Sequence, residues 1–234
     1  MMKDGTKEVS HREDLREKVI LEAMEAFKKY GIKSIRMDDI ANLLKMSKRT
    51  LYEIFEDKEA LLKECILYHQ EVNQKGLEQI VNESRNVLEV ILKCYKGSIE
   101  MYHQTNKKFF EDIKKYPRIY EMICNRREQD NTVVINFLKR GVDQGIFRAD
   151  INFAIIHALL REQMDLLMNS NVSKQFSFLE VYEAIIFTYL RGIATHKGAQ
   201  ELDDFICEYR AEQDNRNTNN EITENEDEKE RSYE

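Results

Sequence analysis

Within six residues the chain places Ser47, Lys48, Arg49, Thr50 and Tyr52. A capping hydroxyl, two cations, a small hydroxyl and an aromatic hydroxyl are the residue types that meet phosphates and base edges. Leu51, Ile54 and Phe55 interleave with them at helical spacing. The stretch therefore reads as a short helix whose inner face is apolar and whose outer face carries Lys48, Arg49 and Tyr52. Ser47 is the expected N-cap, and the start of the helix adds partial positive charge where a phosphate would lie.

Such a helix needs elements to hold it. Leu15, Val19, Ala23, Ala26, Phe27 and Tyr30 recur at helical spacing and give a first helix one apolar face. Gly31 follows as a stop that tolerates positive φ. Ser34 is placed to cap a second helix, with Met37, Ile40, Ala41 and Leu44 facing inward. A short turn then leads to the helix at Ser47, the spacing that lays a recognition helix in a DNA major groove. Asp57 can cap a fourth helix, with Lys58 in its first turn.

From about Leu15 to Leu62 the chain resembles the N-terminal domain of TetR-family (tetracycline-repressor-like) transcriptional regulators. The resemblance rests on Ala23, Phe27 and Gly31; on Asp39, Ile40 and Ala41; on Ser47, Lys48, Thr50, Leu51, Tyr52 and Phe55; and on Asp57, Lys58, Leu61 and Leu62. It implies a repressor, usually a homodimer, released from DNA by a small molecule bound in the C-terminal domain. Two positions depart from the family pattern. Lys45 stands where the family usually has Gly, and keeping the turn forces it into a left-handed conformation at a cost of roughly 1 kcal/mol. Arg36 stands where Thr or Ser is favoured, which replaces a hydroxyl contact to phosphate by a cationic one. The expected DNA contacts are Arg36, Lys45, Ser47, Lys48, Arg49, Thr50, Tyr52 and Lys58.

The 234 residues include one Pro, eight Gly and no Trp, and no alternating strand pattern of useful length. The expected fold is all-α: a flexible N-terminal arm (1–9), a helix-turn-helix DNA-binding domain (10–57), a helical ligand-binding and dimerisation domain (58–210), and an acidic disordered tail (211–234). The net charge of −7 is unusual for a DNA binder. Nine acidic against three basic side chains lie beyond Arg210, so six of the seven net negative charges fall in the tail. That tail is too poor in apolar residues to fold. With no signal peptide and no apolar run long enough to cross a bilayer, a cytoplasmic protein without a membrane partner is expected. The cysteines (Cys65, Cys94, Cys124, Cys207) show no metal-like pairing and read as reduced thiols. No metal site and no cofactor are expected. The histidines are dispersed, and no phosphate loop or nucleophile motif appears, so an enzyme is not expected.

The body reads as helices throughout, including one from Pro117 to about Gly141 and one from Ile151 to Met168 capped by Asp150. Another runs from Phe178 to Ala194. The last two are apolar on more than one face, which calls for two partners. One partner is the body core; the other is the same pair in a second subunit, giving a homodimer that matches a palindromic double-stranded operator. Pocket candidates for an unknown small hydrophobic or amphipathic ligand are Tyr95, Tyr102, His103, Phe109, Phe110, Met122, His157 and Met164. The alternative is a DNA-binding structural or partner-controlled factor with no small-molecule inducer.

Overall fold

The computed structural model describes residues 4–129, 131–169 and 175–212; among them the regular elements are all helices. They are α1 (Asp4–Tyr30), α2 (Met37–Leu43), α3 (Lys48–Ile54), α4 (Lys58–Glu83), α5 (Val87–Gln104), α6 (Lys107–Ile113), α7 (Pro117–Gln129), α8 (Asn131–Asp143), α9 (Phe153–Asn169), α10 (Phe178–Ile193) and α11 (196–212). Several boundaries differ from expectation. α1 includes residues 4–9, which lie inside the stretch read as an arm. α7 and α8 are the described parts of the stretch read as one helix, on either side of residue 130, which lies outside the described residues. α11 runs through Ala211 and Glu212, and the rest of the acidic tail lies outside the described residues.

The chain divides into two units: Met1–Ser84 with Lys93–Asp130, and Arg85–Leu92 with Asn131–Glu234. The expected boundary at residues 57 and 58 is not where packing divides the chain, because α6 and α7 share a core with α1–α4. Val19, Ala23, Phe27, Ile32, Ile40, Leu51, Leu61 and Leu62 are at most 1% exposed, and Phe109, Ile113 and Ile119 join the same cluster. Burial of the larger of these side chains, each stabilising by about 1.5–3 kcal/mol, is what holds the short α2 and α3, which are too brief to persist alone. Tyr30, expected on the apolar face of α1, is 48% exposed.

The ends of the helices are closed by local and by distant bonds. Gly31 takes φ +85, and its N–H reaches the Phe27 carbonyl at 2.9 Å. Two further carbonyls of the last turn are met by one residue: the Asn106 backbone N–H donates to Lys28 O (2.8 Å) and its Nδ2 to Lys29 O (3.2 Å). The same Asn106 accepts from Lys108 N–H at 3.0 Å and so caps α6. One turn further along α6, the buried Asp112 accepts from the Lys33 backbone N–H (2.8 Å) and from Lys115 Nζ (3.0 Å). Burial alone would push its pKa up. The Lys33 amide, the Lys115 ammonium and their positive fields outweigh that and hold it below the usual carboxylate value.

In the second unit, Phe147 and Ile146 form the central turn. Phe147 pairs with Ala194 in an isolated antiparallel bridge, and Thr195 N–H donates to Ile146 O at 2.9 Å. Gly141 leaves room for the Phe147 ring and Gly198 for the Ile146 carbonyl; a Cβ at either would lie 2.3 Å from those atoms. Asn152, not Asp150, caps α9 by accepting from the N–H groups of Ala154 and Ile155. Asp150 is instead held by the Arg148 guanidinium at 2.6 and 3.0 Å. Ser177 and Glu180 form a reciprocal capping box at the start of α10.

Candidate nucleic-acid interface

The turn between α2 and α3 sets the recognition helix. Lys45 sits at φ +52, the left-handed conformation that the sequence required of it. Its N–H donates to Asn42 O (3.1 Å), and the Met46 N–H donates to Ala41 O (2.9 Å). These two bonds are those of a Schellman motif with Lys45 in the position that usually holds glycine. Met46 then packs against the core. Ahead of α2, Ile35 is buried and Arg36 takes the extended N-cap conformation. Ser34, expected as a cap, lies too early; the Asp39 carboxylate accepts from the Arg36 backbone N–H at 2.7 Å instead.

On α3, Leu51 and Phe55 are buried and Ile54 half-buried, while Lys48, Arg49, Tyr52 and Glu53 are exposed. Ser47 caps the helix by accepting from Thr50 N–H at 3.1 Å, and the two hydroxyls are 2.8 Å apart. Both outward cations are ion-paired within the head. Lys48 Nζ lies 2.5 Å from Asp38 Oδ2, and Arg49 Nε lies 2.9 Å from Glu53 Oε1. The hydrogen bond and charge of Glu53 raise the Arg49 pKa above its ordinary value. Glu53 also offers its backbone carbonyl to Arg12 of α1 at 3.3 Å.

Of the expected contacts, Arg36, Lys45, Ser47, Lys48, Arg49 and Tyr52 are exposed and Thr50 is half-buried. Lys58 departs most from expectation. Its ammonium lies 5.9 Å above the ring of the fully buried Phe27. Burial lowers its pKa, against the pull of Asp112 and Asp39. It serves the core as much as the surface. Sequence reading missed Asp38, Glu53 and Arg12; the i, i+4 spacing of Arg49 and Glu53 was the available signal.

The pocket candidates are spread over both units. In the first unit, Tyr95 is 3% and Phe109 8% exposed, and Phe110 and Met122 pack against the same core as Phe109. Tyr102 stacks on Phe110 (ring centroids 5.6 Å apart) and meets His103 edge-on, with His103 exposed. In the second unit, His157 and Met164 are half-buried, and burial, with the Arg161 charge, lowers the His157 pKa. An open groove of about 530 Å³ in that unit is lined by none of the eight, but by Ile151, Ile156, Val181, Ile185 and Tyr189, among others. Beside it the α9 face carries Ile155, Leu159 and Leu166 at 56%, 50% and 57% exposure. No described helix is long and apolar enough to cross a membrane.

Residues 19–65 match the family described as bacterial regulatory proteins, tetR family. The HTH-type transcriptional repressor KstR2 of Mycobacterium tuberculosis is 23% identical over 142 residues, which span 58% of this chain and 70% of that protein. Two solved structures share the fold. A transcriptional regulator from Saccharomonospora viridis in complex with choline has a TM-score of 0.61 at 15% identity, over 79% of this chain and 100% of its own. A transcriptional regulator from Cytophaga hutchinsonii has a TM-score of 0.60 at 21% identity, over 76% and 98%.

Proposed function

We propose that the chain is a DNA-binding regulator of the TetR family, which its residues 19–65 match, and that it acts as a homodimeric repressor released from a palindromic operator by a small molecule. The observation that carries this reading is the α2–α3 pair. A Schellman turn at Lys45 fixes α3 so that Lys48, Arg49 and Tyr52 face outward from a fully buried Leu51. Arg36, Lys45, Ser47 and Thr50 complete the contact surface, with Lys58 at its margin. Arg49 reads a base and the lysines meet phosphates.

The dimer forms through α9 and α10, whose exposed Ile155, Leu159 and Leu166 and the neighbouring apolar groove need a cover. The effector is small and apolar or amphipathic, and Tyr102, with Phe110 stacked on it, is the favoured contact. The protein works in the cytoplasm and carries out no catalysis.

Fluorescence anisotropy of the full chain on its own upstream DNA, against shuffled DNA at physiological salt, tests the reading. A preference of about a thousandfold or more is expected of a specific regulator. Equal binding to both duplexes refutes it. Arg49→Ala is expected to lower affinity for the preferred sequence roughly 10- to 100-fold and relax its sequence preference. Lys45→Ala is expected to weaken all sequences alike.

A further inference from the structure

The two outward cations of α3 are not presented bare. Arg49 donates through Nε to Glu53 at 2.9 Å, which leaves both terminal nitrogens of its guanidinium uncommitted to that pair. Arg49 is 89% and Glu53 58% exposed, so the pair stands on the surface that meets DNA. Lys48 is held in the same way by Asp38 from α2. A DNA-facing helix gains non-specific affinity by neutralising phosphates, and here its own carboxylates occupy that role.

Resting on the DNA-binding reading above, we propose that Glu53 is a specificity-determining residue that converts Arg49 from a phosphate binder into a guanine reader. The two groups that Arg49 can meet on DNA differ in charge. A phosphate is an anion, so Arg49 can reach it only beside Glu53, which repels the phosphate, or by breaking the ion pair. A cation whose counterion is an internal carboxylate also releases no condensed salt ion on binding, and so loses the entropic gain that drives non-specific association. A guanine edge is neutral. Its O6 and N7 accept two parallel N–H bonds from the terminal guanidinium nitrogens, while Nε stays on Glu53 and fixes the plane of the fork. Arg12 binds the Glu53 backbone carbonyl at 3.3 Å, which ties the main chain that carries the carboxylate to α1. Asp38 restrains Lys48 likewise, though an ammonium has no such fork and gains no base preference from its pair.

The test uses the full chain, a duplex enriched by the wild type from a random-sequence pool, and a scrambled duplex of the same composition. Binding is measured by anisotropy over a salt series. Glu53→Gln is expected to bind the scrambled duplex roughly 2- to 5-fold more tightly, the worth of a surface ion pair. Its log K against log salt is expected to steepen by about 0.9, one further phosphate contact. Arg49→Ala is expected to leave the scrambled slope of the wild type unchanged while losing the preferred duplex. Replacing guanine by 7-deazaguanine in the preferred duplex removes the N7 acceptor. It is expected to penalise the wild type more than Glu53→Gln. Unchanged affinity and slope of Glu53→Gln on the scrambled duplex, where the wild type still selects a sequence, overturn the role of Glu53 alone. Failure of the wild type to enrich any sequence overturns the DNA-binding reading and this one with it.

Discussion

Single residues set the strain and the charge of the head. Lys45 holds a left-handed turn that glycine would hold without the Cβ penalty. Lys45→Gly is therefore expected to stabilise the fold by about 0.5–1 kcal/mol while weakening DNA binding, checked by thermal denaturation beside anisotropy. Asp112 carries a pH signature. Its carboxylate is held low in the folded chain, so its stabilisation is complete above the ordinary carboxylate range and is lost as pH falls through the lower folded value. Asp112→Asn is expected to cost about 1–3 kcal/mol near neutral pH. In acid that gap should close, as read by denaturant unfolding at the two pH values. Cys65 is fully buried, and burial pushes its thiol up to about 12. At about pH 8 a thiolate-directed reagent should label the exposed Cys207 and spare Cys65 until the chain unfolds, as peptide mass spectrometry would show.

At the scale of elements, periodicity and capping residues made the head legible. Ser47 and Asp57 cap where their side chains could reach an N–H three residues on, and Gly31 and Lys45 sit at positive φ where a helix had to stop. Partners distant in sequence were not legible. Nothing local marks Asn106 as the residue that closes α1 or Asp112 as the acceptor for Lys33, because those bonds span more than seventy residues. Lys58 shows the same limit: its position in α4 shows a cation in the first turn, but not the Phe27 ring beneath it. The pocket residues were harder still, since an aromatic side chain at helical spacing serves a core and a cavity equally well, and Phe109 went to the core. The junction of α1 and α6 yields a prediction of its own. A methyl group at Gly31 would meet the Lys108 Cβ at 2.7 Å on a backbone already at φ +85. Gly31→Ala should lower the melting temperature by several degrees, the response to a loss of at least 1 kcal/mol.

At the scale of the whole molecule, the exposed apolar stripe of α9 is the feature that a lone chain tolerates least. Replacing Ile155 and Leu159 together by Glu should leave a folded monomer, detected by light scattering on a sizing column. A mutant that stays dimeric would move the subunit contact elsewhere. At the joint between α1 and α6, Asn106 binds the Lys28 and Lys29 carbonyls, and Asp112 binds the Lys33 amide; every one of these is main chain. The side chains of Lys28 and Lys29 take no part in these bonds and can change without breaking them. Mutation can therefore change the surface at the end of α1 while the grip of α6 upon its main chain is inherited intact.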